Sequence, residues 1–149
     1  MQQKKQPKPE MAMARKQGFF NISEASKESG VSAKMIRHYE QIGLMPEANR
    51  TDANYRIFNQ SDIHTLLFIK RARSLGFSMK KIATLLSLYH DKNRSIAEVK
   101  SLAQEHIKEL EESMAKMQEM LNVLSKLAHH CHGDERPDCP ILEGISCVH

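Results

Sequence analysis

The chain has 149 residues, enough for one domain and an extension; 40% are hydrophobic, 5% aromatic and none is Trp, so any core is largely aliphatic. No apolar run reaches the length of a membrane span, and the basic first twenty residues lack the apolar stretch of a secretory signal, so neither insertion nor export is expected. Basic and acidic groups number five and one in residues 1–20, ten and seven in 21–91, six and six in 92–130, and one and four in 131–149, so only the front half suits a polyanion.

Residues 1–20 are rich in Gln, Lys and Pro with little to bury, and a basic disordered tail is expected there. Residues 21–91 carry helix signals. Ile22, Ala25 and Ser26 lead into a short helix that stops near Gly30. Ser32 is a good N-cap for a second helix, in which Met35, Ile36 and Tyr39 share a face and Gly43 fits the position after the end. Two short helices joined by a tight turn make a helix-turn-helix, though many helical hairpins look the same. "EANRTDANYRIFNQSD" has no helical period. "YRIF" is β-prone and "DAN" is turn chemistry, so a small β-ribbon is expected, with Arg50 entering its turn and Tyr55 and Arg56 leaving it. Ser61 is expected to cap a helix ending at Gly76, and Ser78 another that "HDKNR" breaks.

Residues 92–130 read as one long helix. From about Ser95 to His129 there is no Gly or Pro, and Ile107, Leu110, Met114, Met117, Leu121, Leu124 and Ala128 follow a 3-4 spacing, a heptad seam with Lys108, Glu112, Lys116 and Glu119 outside it. A narrow apolar stripe on a helix about 50 Å long exceeds what a domain of about seventy residues covers. It pairs with a copy in a second chain, parallel or antiparallel, or folds back over the front domain.

Residues 131–149 hold all three cysteines. The residues between Cys131 and Cys139 include Gly133 and Pro137 and are long enough to fold back, so that both sulfurs face one point. Pro140 suits the first position of a helix, which puts Cys139 at its N-cap, where peptide N–H groups favour thiolate, the form that binds soft metals. Two thiolates suffice for linear Cu(I), Ag(I) or Au(I). Zn(II) wants four ligands, and His130, His132, Cys147 and His149 are the spare donors. A redox disulfide between Cys131 and Cys139 is a further reading. In a reducing, cytoplasmic compartment thiols are more often metal ligands or redox groups than structural disulfides. No catalytic constellation appears, and no enzyme is expected.

"NISEASKESGVSAKMIRHYEQIGL", "NYRIF", the basic "KRARSLGFSMKKIATLLSL" and the long helix together resemble the MerR family of transcriptional regulators over about residues 20–147. "CHGDERPDCPIL" most resembles that family's copper-efflux regulators. The resemblance implies a mainly α chain: a winged helix-turn-helix DNA-binding domain, a long antiparallel coiled-coil dimerisation helix and a C-terminal metal-binding loop with a short helix. It places Lys34, Arg37 and His38 on the recognition helix, Tyr55 and Arg56 in the wing and Arg50 before the wing turn. Arg37 is a bidentate donor suited to a guanine edge or a phosphate, Lys34 lies one turn earlier, and Tyr55 and Arg56 suit phosphates.

The implied protein is a homodimer that distorts promoter DNA for RNA polymerase when Cu(I), or Ag(I) or Au(I), binds Cys131 and Cys139. The residues themselves leave two readings of Cys147 open, an ordinary tail thiol or, with His149 and His132, an auxiliary donor. Family members that sense divalent metals supply a further Cys at the start of the partner's dimerisation helix, and "NRSIAEVK" has none. One departure stands out: the copper sensors' Ser aligns with Ile96, and this chain's Ser95 is one residue early. The alternatives are a divalent-metal (Zn, Cd or Pb) sensor of the same family and, from another class, a metal-handling or thiol-redox protein with no DNA role. The basic wing and the absence of a C-x-x-C pair speak against the latter.

Overall fold

The computed structural model describes residues 9–130 and 139–146. They fall into two compact units that divide between Arg94 and Ser95. The N-terminal unit holds helices α1 (Pro9–Lys16), α2 (Ile22–Ser29) and α3 (Ala33–Gln41), a two-stranded ribbon of β1 (Asn49–Arg50) and β2 (Arg56–Ile57), and helices α4 (Gln60–Ser74) and α5 (Met79–His90). The C-terminal unit holds α6 (Ile96–His130) and α7 (Pro140–Ser146).

Short polar side chains set the helix starts. The side chain of Asn21 accepts from the Glu24 N–H at 2.8 Å, Ser32 Oγ from Met35 and Ser78 Oγ from Lys81. The cap of α4 is Asn59, not Ser61 as expected. Asp62 N–H donates to the Asn59 side chain at 2.8 Å and Asn59 N–H to the Asp62 carboxylate at 2.9 Å, a reciprocal box that leaves Ser61 inside the first turn. The turn between α2 and α3 passes through Gly30 at φ 70°, a left-handed conformation that a side chain adopts at a cost.

These helices bury one face each. Ala25, Ile36, Tyr39, Phe58, Ile63, Leu66, Ile69 and Ile82 form the centre of one aliphatic core. Burial of each large side chain stabilises by roughly 1.5–3 kcal/mol. Tyr39, 1% exposed, keeps its hydroxyl satisfied by accepting from Arg73 Nη1 at 2.8 Å, which ties α3 to α4.

The expected disorder over residues 1–20 is corrected for Pro9 onward; residues 1–8 lie outside the described residues. Pro at the first helical position and Ala and Met after it suit α1, whose Ala14 is buried. Arg15 pairs with Glu24 of α2 at 2.9 Å, and Phe20 and Phe58 exchange backbone hydrogen bonds of 2.7 and 2.8 Å beside the ribbon. Counting charges hid these apolar and paired positions.

In the C-terminal unit, α6 runs for 35 residues, close to the expected bounds. Ser95 Oγ accepts from the Glu98 N–H at 3.4 Å and caps it. His106 is the buried side chain of α6. The heptad seam stands open: Ile107, Leu110, Met114, Met117, Leu121 and Leu124 are all exposed. α7 packs against the end of α6 closely enough that a Cβ on Gly144 would lie 2.5 Å from Leu127 Cδ2. Among the described residues no helix is long and apolar enough to cross a membrane.

Candidate nucleic-acid interface and metal-binding end

α3 presents two faces. Ile36 and Tyr39 point into the core, which leaves Lys34, Arg37 and His38 exposed on the outer side, at the three- and four-residue spacing that puts them on one surface. The buried pair therefore sets how the three polar side chains are displayed.

The ribbon supplies the second element. Asn49 pairs with Ile57 and Arg50 with Arg56. Thr51 and Tyr55 close the turn: Thr51 N–H donates to the Tyr55 carbonyl at 2.9 Å and Tyr55 N–H to Thr51 Oγ1 at 3.2 Å. Asn54 takes φ 67°, which Asn tolerates better than most residues. Arg50 Nη1 donates to the Asn54 carbonyl at 3.1 Å, and Tyr55 stands exposed at the tip. Arg56 lies in the ribbon as expected and bonds back to α3: its Nε donates to Glu40 Oε2 at 3.0 Å.

Between α3 and the ribbon lies an open concavity of about 420 Å³ lined by Arg37, Glu40, Gln41, Glu47, Arg50 and Arg56. It brings together three of the expected residues, Arg37, Arg50 and Arg56; Lys34, His38 and Tyr55 lie outside its lining. Sequence reasoning missed Glu40, because nothing local links it to a residue sixteen positions later. Its one signal is an acid in a helix whose outer face is basic.

At the other end of the chain, Cys139 stands directly before α7, and its carbonyl accepts the Glu143 N–H at 3.0 Å, as an N-cap residue's does. The expected partners Cys131, His132, Cys147 and His149 lie outside the described residues. Among the described residues no group of three or more His, Cys, Asp or Glu is placed to hold a metal. What is described fits a soft-metal site in one respect: a half-buried thiol heads a helix whose Gly144 lets it pack on Leu127, near the end of α6 and three residues before the His130 that Cys131 follows in sequence. The Ser95 hydroxyl, one residue off the copper sensors' pattern, caps α6.

Residues 20–89 match the family model described as MerR HTH family regulatory protein, and residues 63–127 the model described as MerR, DNA binding. Heavy metal-dependent transcription regulator 2 of Rhizobium meliloti is 57% identical over 127 residues, 85% of this chain and 86% of that protein. The HTH-type transcriptional regulator CueR of Escherichia coli is 37% identical over 131 residues, 87% and 97% of the two chains. Among solved structures, a transcription regulator of Ralstonia metallidurans in complex with lead(II) superposes with a TM-score of 0.75 at 28% identity, over 85% of this chain and 99% of that one.

Proposed function

The chain belongs to the MerR family of helix-turn-helix regulatory proteins, and from that premise we propose that it is a cytoplasmic, homodimeric activator that responds to Cu(I) through Cys131 and Cys139. Its helix-turn-helix and wing bind DNA as a regulator's do, and it is not an enzyme. Heavy-metal dependence is carried in the name of the 57% identical relative.

On the DNA side, Arg37 reads a base edge and Lys34 and His38 flank it, while Arg50 and Tyr55 serve phosphate positioning from the wing, to which Arg56 also belongs. On the dimer side, the exposed seam of α6 is covered by the same seam of a second copy, in an antiparallel coiled coil. Metal binding changes the relative setting of the two DNA-binding units and so the bend and twist of the promoter. Such deformation costs a few kcal/mol, and RNA polymerase then uses the distorted promoter.

The observation that carries the metal reading is the place of Cys139: half-buried, heading α7, in a unit where α7 is packed on the end of α6. Cu(I), Ag(I) or Au(I) supplies a two-coordinate link between thiolates. The chain's own part is to hold Cys139 at a fixed place relative to α6 and to keep further donors few. The missing Cys in "NRSIAEVK" supports the monovalent ion. A second reading, a divalent-metal sensor that recruits Cys147, His149 and His132, is favoured by the likeness to the lead(II)-bound regulator. Transcription in vitro from a bound promoter, with Cu(I) or Zn(II) added anaerobically, separates them: activation by Cu(I) alone, lost in Cys139→Ser, supports the first, and activation by Zn(II) the second.

A further inference from the structure

A surface that meets a polyanion has reason to avoid acids, yet the concavity between α3 and the wing contains two, Glu40 and Glu47. Glu47 is exposed. Glu40 is not: its side chain is 11% exposed, against 29% for Arg56, to which it is joined at 3.0 Å. Arg56 stands directly across the ribbon from Arg50. Like charges at directly opposed positions of an antiparallel pair repel. Each strand is only two residues long, so the ladder alone holds the wing weakly. A carboxylate from α3 relieves that repulsion and bonds the recognition helix to the wing.

We infer that the Glu40–Arg56 pair is a strut that sets the spacing between α3 and the wing, and that Arg56 is a positioning residue, acting on DNA through Arg50 and Tyr55 rather than as a phosphate ligand. This deepens the DNA-binding reading above and rests on it. The strut explains why an acid is kept in a basic concavity. It also reverses a simple electrostatic expectation: removal of Glu40 takes a negative charge away from DNA and still weakens sequence-selective binding, because the wing loses its setting.

The test uses the full-length protein and a duplex selected by it from random sequence, with a scrambled duplex for comparison. Glu40→Ala, Arg56→Ala and the double variant each weaken binding to the selected duplex by the same factor, about tenfold, between what exposed and buried ion pairs give. The slope of log affinity against log salt stays at the wild-type value in Arg56→Ala. An arginine that neutralises a phosphate contributes about 0.9 to that slope, so a loss of that size overturns the inference. Tighter binding by Glu40→Ala, or additive losses in the double variant, also overturns it. The exchange Glu40→Arg with Arg56→Glu recovers most of the affinity that Arg56→Glu loses; binding as weak as Arg56→Glu alone rejects the strut whatever the folding of the single variants. Arg37→Ala keeps the two readings apart: if the selected duplex is indifferent to Arg37, the reading of α3 falls, and if Arg37 matters while the pair is additive, only the strut falls.

Discussion

The N-terminal unit hides its large aliphatic side chains within its own chain, with Ile36, Leu66, Ile69 and Ile82 at 0% exposure, whereas α6 leaves Met114 at 69% and Met117 at 64%. Both patterns are regular. In the first unit apolar residues from four short helices converge on one core. In the second a single helix carries a stripe as narrow as a coiled-coil seam, with almost nothing of its own to cover it. The first unit is completed by its own fold; the second, on the proposal above, is completed by another copy of the chain. On that proposal, DNA recognition stays in a self-sufficient unit and effector response falls to the part that depends on assembly.

The division is broken most forcefully at the seam. Leu110→Asp with Met117→Asp puts four charges into the dimer interface. It is expected to give monomers by light scattering and to lower operator affinity by at least about a hundredfold, since each buried Leu or Met forfeits roughly 1.5–3 kcal/mol. Helicity of the N-terminal unit is unaffected. If the variant remains dimeric, α6 is covered by something other than its copy.

The next effect separates response from recognition. Cys131→Ser and Cys139→Ser each abolish metal-dependent activation and leave operator affinity within about twofold (roughly 0.4 kcal/mol). Cys147→Ser keeps most of the response. Gel shifts and transcription on the same promoter check both, and a loss of operator binding in the Ser variants contradicts the separation.

Within the N-terminal unit, Arg37→Ala costs about 1–3 kcal/mol on the selected duplex if it reads a base edge, and the preference for one base pair relaxes. Loss spread equally over all sequences moves Arg37 to the phosphates. The smallest effect sharpens the account of α4: Asn59→Ala costs about 1 kcal/mol of unfolding free energy and Ser61→Ala well under half of that, read from thermal melts.

The helix starts show how far the residues themselves carry the fold. Ser32 and Ser78 cap as their sequence context implies, and Gly30 and Gly43 sit at positive φ after the helices they end. Asn59 and Ser61 are both good caps by residue type; the deciding signal is Asp62, three residues after Asn59, where it closes the box. α1 was hidden by the lysines and prolines around it. The seam and Cys139 were legible because periodicity and a following Pro are local signals. The Glu40–Arg56 bond was not, since it joins residues sixteen apart on different elements and depends on how the wing lies against α3.

X-ray absorption at the copper edge, on the dimer loaded anaerobically with one Cu(I) per chain, reads the proposed two-thiolate Cu(I) site at the metal itself. Two sulfur neighbours are expected in the wild type, unchanged in Cys147→Ser. Three or four ligands, with a third sulfur lost on Cys147→Ser, overturn the two-thiolate site and point to the divalent-metal sensor instead.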